Sequence, residues 1–183
     1  MTIDELIDSL PAYAKDLKLN YSSLVRQQTE LSQQQLWGTL VASAMVSRNL
    51  ELIRAVLAEA ATQISPTALE AAKAAAAVMG MNNIYYRFLH LSSNEKYRAI
   101  PAKLRMNVMR SHGVDQTDFE LWSTAASAIN GCGACVDSHE KVLRNHGFTE
   151  EQILMSVRIA SIVHAIATVL DTESIAAADT VTA

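Results

Sequence analysis

Residues 117–139 read TDFELWSTAASAINGCGACVDSH, a helix-forming stretch that is followed by a break and then by the only two cysteines of the chain. Apolar residues recur at helical spacing until Asn130-Gly131 interrupts them. A second helix is expected after the break, and on a helix Cys132, Cys135 and His139 share one face. The stretch therefore predicts two packed helices with two thiols and an imidazole in one small pocket.

The start of this stretch has a counterpart 85 residues earlier in the chain. The pentapeptide Gln35-Leu-Trp-Gly-Thr matches Glu120-Leu-Trp-Ser-Thr, and the only two tryptophans fall in register. Each pentapeptide begins a helix rich in small residues, which a break and two further helices follow. We therefore expect a single domain over residues 1–183 in which one helical unit is used twice, at approximately residues 32–90 and 117–172.

Composition and local signals along the rest of the chain favour an all-α fold. Half of the 183 residues are apolar and only six are glycine and three proline, which favours helices over tight turns. Helix starts are predicted by capping patterns at Ser32, Ser65-Pro66, Thr117 and Thr149. We expect the helix after Pro66 to end near Met81 and the last long helix near Leu170, with a loosely ordered tail over residues 174–183.

Charge and hydropathy argue against two classes of partner. The net charge of -4 and the lack of a basic run give no reason to expect nucleic acid. The longest apolar run, Ala74 to Met81, is well short of the roughly 20 residues that span a bilayer, so no membrane segment is expected. The acidic N-terminus is unlike a secretory signal, and we expect a cytoplasmic setting.

The cysteine pair is the main candidate for chemistry. In a cytoplasmic protein such a pair is more often catalytic or metal-binding than structural. A helix N-terminus and a nearby imidazole both favour the thiolate, so Cys132, Cys135 and His139 suit a redox site. Two alternatives remain: the cysteines are merely buried small hydrophobes, or they bind zinc together with His139, with Glu120 as a fourth ligand.

Glu120 has a structural alternative of its own, because it would close a capping box as the third residue of a helix capped by Thr117. The two halves of the chain help to separate scaffold from chemistry, since the reactive residues of the second half are not repeated in the first. At the same offset the pairs are Glu120 with Gln35, Cys132 with Ser47, Cys135 with Leu50, and His139 with Arg54. Glutamine can close a capping box, but it cannot accept a proton.

The run Glu-x11-Cys-x2-Cys-x3-His, with Leu-Trp after the glutamate and Asn-Gly before the first cysteine, resembles the alkyl hydroperoxidase D (AhpD) family. This family belongs to the wider carboxymuconolactone-decarboxylase-like fold. Three further stretches share the resemblance, which thus covers most of the chain: Pro11-Ala-Tyr-Ala-Lys-Asp, Gln35-Leu-Trp-Gly-Thr and Met79-Gly-Met-Asn-Asn-Ile-Tyr-Tyr-Arg.

The resemblance implies an all-helical subunit that assembles as a trimer or hexamer and holds no bound cofactor or metal. It implies a thiol peroxidase that reduces organic hydroperoxides. Its reductant would be a dihydrolipoyl group on the acyltransferase of a 2-oxoacid dehydrogenase complex, and a two-cysteine peroxiredoxin is a further electron acceptor. A non-redox enzyme of the carboxymuconolactone-decarboxylase type is the remaining alternative.

The resemblance also implies roles for individual residues. Cys135 is the expected peroxidatic thiol, Cys132 the resolving thiol that forms a disulfide with it, and His139 and Glu120 the proton relay. From physical arguments alone the attacking thiol stays open, because the helix dipole favours Cys132 and the spacing from His139 favours Cys135. Some members place a histidine before the second cysteine, where this chain has Ala134, so we expect a lower peroxidase efficiency here.

Overall fold

The computed structural model describes residues 2–181, with side chains described up to residue 175. Over these residues the chain is all-α, as the sequence predicted, and contains no β-strand. The helices are α1 (Ile3–Asp8), α2 (Lys15–Asn20), α3 (Gln33–Ser47), α4 (Leu50–Gln63), α5 (Pro66–Leu91), α6 (Gln116–Ile129), α7 (Gly133–Asn145) and α8 (Glu150–Val181). A π-helical turn, Tyr21–Val25, follows α2, and short 3₁₀ turns at Glu95–Ala99 and Asn107–Arg110 lie between α5 and α6.

Two successive groups of three helices have similar lengths. Helices α3, α4 and α5 have 15, 14 and 26 residues, and α6, α7 and α8 have 14, 13 and 32. Helices α3 and α6 pack against each other at the centre, and both also contact α5 and α8. A duplicated unit would produce this order of helices, and the duplication itself stays a prediction.

Several helix starts follow the predicted capping patterns. The Ser32 hydroxyl accepts a hydrogen bond from the Gln35 backbone N–H at 3.2 Å, and the Gln35 side chain accepts one from the Ser32 N–H at 3.0 Å. Ser65 caps α5, with Pro66 at the first helical position. Thr149 and Gln152 form the same reciprocal pair before α8. These starts are local, so the sequence alone was enough to predict them.

The central contact between α3 and α6 depends on a glycine. A Cβ atom on Gly38 would lie 2.0 Å from Cε2 of Trp122, whose side chain is fully buried. The Trp122 indole N–H also donates a hydrogen bond to the Gln35 carbonyl at 3.2 Å. Gly38 therefore allows the indole ring to lie directly on the backbone of α3.

Two predicted helix ends were wrong. Helix α5 continues past Met81 to Leu91, because the side chains of Asn82 and Asn83 find partners on neighbouring segments and do not compete with the helix. Helix α8 continues past Leu170 to Val181, so the prediction of a tail fails over residues 174–181, where alanine favours helix. Residues 182–183 lie outside the described part of the chain.

Helix α8 bears on the expectation about membrane segments, which stays a prediction. Its residues 150–175 are long enough and apolar enough to cross a bilayer by length and composition alone. In the sequence, single polar residues such as Ser161 and His164 divide the apolar run of this helix. Within the protein, 56% of its most apolar window is buried, and the helix packs on α3 and α6. That burial is typical of a core helix of a helical protein.

Candidate active site

The break at Asn130-Gly131 positions the cysteines. Helix α6 ends at Ile129, Gly131 has a φ of +67°, and α7 begins at Gly133. Cys132 is therefore the N-cap residue of α7 and precedes the helix, whereas we had expected it within the helix. The left-handed conformation, which glycine adopts at little cost, brings Cys132 back over the first turn of α7.

Cys132 and Cys135 are joined by a disulfide, with their Cα atoms 5.3 Å apart. They are therefore not two free thiols that serve only as small hydrophobes. The two cysteines differ in access, since Cys132 has no exposed surface and Cys135 is 6% exposed. Cys135 alone of the pair lines a pocket, so it is the sulfur that a small molecule can approach.

His139 lies one turn after Cys135 and is paired with Glu120 from α6. Its Nδ1 atom is 2.5 Å from the Glu120 Oε2 atom, and both side chains are more than nine-tenths buried. A carboxylate only accepts hydrogen bonds, so Nδ1 carries the proton and donates it. The second ring nitrogen, Nε2, is then available to take up or release a proton on the other side of the ring.

Glu120 is not part of a helix cap, which corrects the alternative drawn from the Thr117 pattern. Helix α6 is capped by Asp115, whose carboxylate accepts from the Thr117 backbone N–H at 2.8 Å. The Thr117 hydroxyl, together with that N–H, holds the pKa of Asp115 below its ordinary value of 3.8. Glu120 is thus the fifth residue of the helix, beyond the third position that a capping box uses. Its carboxylate is free to face α7.

A short chain of hydrogen bonds orients Glu120 from the side opposite His139. The Gln116 amide donates to Glu120 Oε1 at 2.6 Å, and Gln116 Oε1 is 3.0 Å from Nε2 of His112. The His112 ring stacks on Phe119 with centroids 4.3 Å apart. Each carboxylate oxygen of Glu120 therefore has one partner, which fixes the direction of the oxygen that meets His139.

The other ring nitrogen of His139 faces sulfur. Its Nε2 atom is 3.3 Å from the thioether of Met79, a residue of α5 that is 1% exposed. The same sulfur accepts from the Ser127 hydroxyl at 3.5 Å and from the Asn83 amide at 3.6 Å. With its proton on Nδ1, His139 has no hydrogen on Nε2 to donate to this thioether, so the contact is one of packing and leaves Nε2 free to accept a proton.

A pocket of about 380 Å³ opens onto Cys135 and His139. Its wall comes from α5, from the 3₁₀ turn before α6, and from α7. The lining residues are Met79, Asn82, Tyr86, Met106, Met109, Ala134, Cys135, Ser138 and His139. The wall is mainly apolar, and thioethers contribute much of it, so the pocket suits a small molecule with an apolar body.

The zinc alternative needs both sulfurs as thiolates, and in this state they are bonded to each other. His139 and Glu120 are likewise bonded to each other. Among the residues that the structure describes, no group of three or more histidine, cysteine, aspartate or glutamate side chains is arranged to hold a metal ion.

All four predicted site residues meet at one place, but the sequence reasoning missed the residues that surround them. Met79 and Asn82 line the pocket, and Gln116 orients Glu120. The sequence did contain a signal for Met79 and Asn82, because the pair Asn82-Asn83 interrupts an otherwise apolar helix next to Met79. Buried asparagines in a helix usually bond to something specific. No local pattern pointed to Gln116.

The chain is all-helical and holds a Cys132–Cys135 disulfide beside the His139–Glu120 pair, and comparison with known sequences assigns it to a family. The model of the carboxymuconolactone decarboxylase family matches residues 95–178, which include the whole of α6 and α7.

Three relatives are each named alkyl hydroperoxide reductase AhpD. The protein of Acidobacterium capsulatum is 63% identical over 96% of this chain and 96% of its own length. That of Koribacter versatilis is 56% identical over 94% of this chain and 89% of its own, and that of Solibacter usitatus 58% identical over 95% and 98%. The chain belongs to the AhpD family.

Proposed function

We propose that the chain is a thiol peroxidase that reduces organic hydroperoxides through the pair Cys132 and Cys135. The observation that carries this proposal is a disulfide whose Cys135 sulfur borders an apolar pocket, next to an imidazole held by a carboxylate. The names of the AhpD relatives support the same activity.

The reaction follows from the roles that the site allows. In the reduced protein, His139 takes the Cys135 proton at Nε2, while Glu120 stabilises the resulting imidazolium. The Cys135 thiolate attacks the terminal oxygen of the hydroperoxide, the O–O bond breaks, and the alkoxide takes a proton from His139. The products are an alcohol and a sulfenic acid on Cys135.

Cys132 completes the oxidative half of the cycle. Its thiol condenses with the sulfenic acid, which releases water and forms the disulfide. The assignment of Cys135 as the attacking thiol rests on access, because Cys132 is fully buried and does not line the pocket. The helix dipole separates the two thiols little, since Cys132 is the N-cap and Cys135 the third residue of α7.

A dithiol must then return the disulfide to its reduced form. We propose a dihydrolipoyl group carried by an acyltransferase of a 2-oxoacid dehydrogenase complex, in the cytoplasm, with a two-cysteine peroxiredoxin as a further acceptor. The apolar pocket beside Cys135 supports this, because it can accept the short hydrocarbon arm of such a group.

A homotrimer or hexamer is also proposed, and light scattering of the purified protein tests it. Exposed Ile84, Phe88 and Leu91 on one face of α5 support association.

The test measures thiols and turnover together. Reduced protein is treated with cumene hydroperoxide, and we expect the loss of both thiols with the release of one alcohol per disulfide. Turnover is then followed with dihydrolipoamide and dihydrolipoamide dehydrogenase, which couple the reaction to NADH. Thiols that resist peroxide, or metal that copurifies at about one ion per chain, would instead favour the zinc-binding module. A lactone decarboxylation that survives loss of both cysteines would favour the non-redox enzyme.

A further inference from the structure

Asn82 is a buried polar residue in the wall of the pocket that contains Cys135. Its side chain belongs to α5, is 3% exposed, and donates from Nδ2 to the thioether of Met109 at 3.5 Å. Sulfur in methionine accepts hydrogen bonds and cannot donate them, so the amide nitrogen must face Met109. The carbonyl oxygen, Oδ1, has no hydrogen-bond partner among the described residues.

The neighbouring asparagine shows what a purely structural residue looks like in the same helix. Asn83 donates to the Ser127 hydroxyl at 2.9 Å and accepts from the Asn130 amide at 2.9 Å. It therefore ties α5 to α6 and leaves neither end of its amide free. Asn82 differs in that its acceptor is left over, and a buried acceptor without a partner costs roughly 1–3 kcal/mol. Native proteins rarely keep such a group unless it has a use.

Three other buried polar atoms lack a partner among the described residues, and they lie elsewhere. They are the hydroxyls of Tyr21, Ser43 and Ser123. None of these residues lines the pocket beside Cys135. Asn82 is thus the residue at which an unused hydrogen-bond acceptor and the candidate redox centre coincide.

The chemistry of the pocket specifies the ligand group that fits this acceptor. An organic hydroperoxide has one hydrogen-bond donor, its terminal O–H, and an apolar remainder. Asn82 lines the pocket together with Met79, Met106 and Met109, which provide an apolar surface, and its buried Oδ1 atom is an acceptor without a partner among the described residues. The O–H group is also the end of the molecule that Cys135 has to attack, so donor and reactive atom are the same oxygen.

We propose that Asn82 is the residue that positions the hydroperoxide, by accepting the hydrogen bond of its terminal O–H group at Oδ1. This role rests on the proposed function. In the step itself, the Cys135 sulfur bonds to the terminal oxygen, the O–O bond breaks, and the alkoxide takes its proton from His139. The hydrogen bond to Asn82 holds the terminal oxygen toward Cys135, while Met109 keeps the amide from rotating.

The test compares two oxidants of the reduced protein. Cumene hydroperoxide has an O–H group, whereas diamide oxidises the same thiols and has no O–H or N–H group. In the variant Asn82→Leu, which keeps the side-chain shape, we expect the rate constant for cumene hydroperoxide to fall about tenfold. The rate constant for diamide should stay within about twofold, because diamide makes no use of the acceptor.

A matched control is Asn83→Leu, which removes the structural asparagine one residue away. It should lower stability and should change both rate constants by the same factor, so that their ratio is that of the wild type. An Asn82→Leu variant that also leaves this ratio unchanged overturns the role of Asn82. Failure of the wild type to react with cumene hydroperoxide, while it reacts with diamide, overturns the proposed function as well.

A second variant decides the matter if Asn82→Leu does not fold. Met109→Leu keeps the apolar volume and deletes the sulfur that orients the amide. It should shift the ratio of the two rate constants in the same direction by about threefold, since a rotating amide presents its oxygen for only part of the time. A wild-type ratio in Met109→Leu counts against the proposal.

Discussion

The starts of α3 and α6 contain nearly the same pentapeptide and use it in different ways. In α3 the cap is Ser32, so Gln35 is the third helical residue and its side chain closes the capping box. In α6 the cap is Asp115, two residues earlier than the match between the halves predicts, so Glu120 is the fifth helical residue. A shift of two residues at a helix start thus turns a capping position into one that faces a histidine. The difference can be tested by variants in both halves.

The largest expected effect is that of Cys135→Ser, which removes the sulfur that only the second half has. We expect hydroperoxide turnover to fall by at least about 1,000-fold, because serine cannot form the sulfenic acid or the disulfide. The coupled NADH assay measures this. The matched variant Cys132→Ser should still react once and retain a sulfenic acid on Cys135, which mass spectrometry detects. Full activity of Cys135→Ser would reject the assignment.

The next effect concerns the contact between the halves. Gly38→Ala would place a Cβ atom 2.0 Å from the buried Trp122 ring, so the two helices must move apart. We expect a loss of about 3 kcal/mol in the free energy of unfolding, measured by urea denaturation. The control is Ser123→Ala at the corresponding position of the second half. The Ser123 hydroxyl has no partner within the described residues, so its loss should cost under about 0.5 kcal/mol. Equal effects of the two variants would contradict the asymmetric contact.

Glu120→Gln gives the second half the residue of the first. The amide oxygen can still accept from the His139 Nδ1–H, but a neutral amide cannot stabilise an imidazolium, so we expect hydroperoxide turnover to fall about 100-fold. Stability should change little, because Glu120 is not part of the cap. The reciprocal variant Gln35→Glu should instead reduce stability and leave turnover nearly unchanged. It places a second carboxylate beside that of Asp118, which accepts from the Gln35 amide at 2.9 Å in the wild type. A large loss of stability in Glu120→Gln, with normal turnover, would restore the capping interpretation.

The smallest effect tests which residue caps α6. Asp115→Ala should lower the free energy of unfolding by about 1 kcal/mol near pH 7. The folded-state pKa of Asp115 is lowered, so this contribution is present above the ordinary value of 3.8 and is lost as the pH falls through the lower folded value. Unfolding measured across that acidic range should show the difference from wild type shrinking. Thr117→Ala should cost less than Asp115→Ala, and the reverse order would favour the cap that the sequence predicted.

The sequence predicted most of the fold because most of it depends on local interactions. The caps at Ser32, Ser65 and Thr149 lie where their patterns indicated. The start of α6 was predicted wrongly because Asp115 and Thr117 are both good capping residues, and local sequence does not choose between them. In the structure the cap is Asp115, and Asp118, the third helical residue, accepts hydrogen bonds from two side chains of α3.

The sequence by itself determined which groups are available for chemistry: two thiols, one imidazole and one carboxylate, at spacings that a break at Asn130-Gly131 can bring together. Only the tertiary structure decided how they are used. Glu120 meets His139 because α6 packs on α7, and Cys135 rather than Cys132 borders the pocket whose wall comes from α5, the turn before α6 and α7. Asn82 has a free acceptor because its partner comes from a distant segment and bonds only its nitrogen. Spacing along a chain limits which groups can meet, whereas burial and hydrogen-bond partners depend on segments that the chain brings together from far apart.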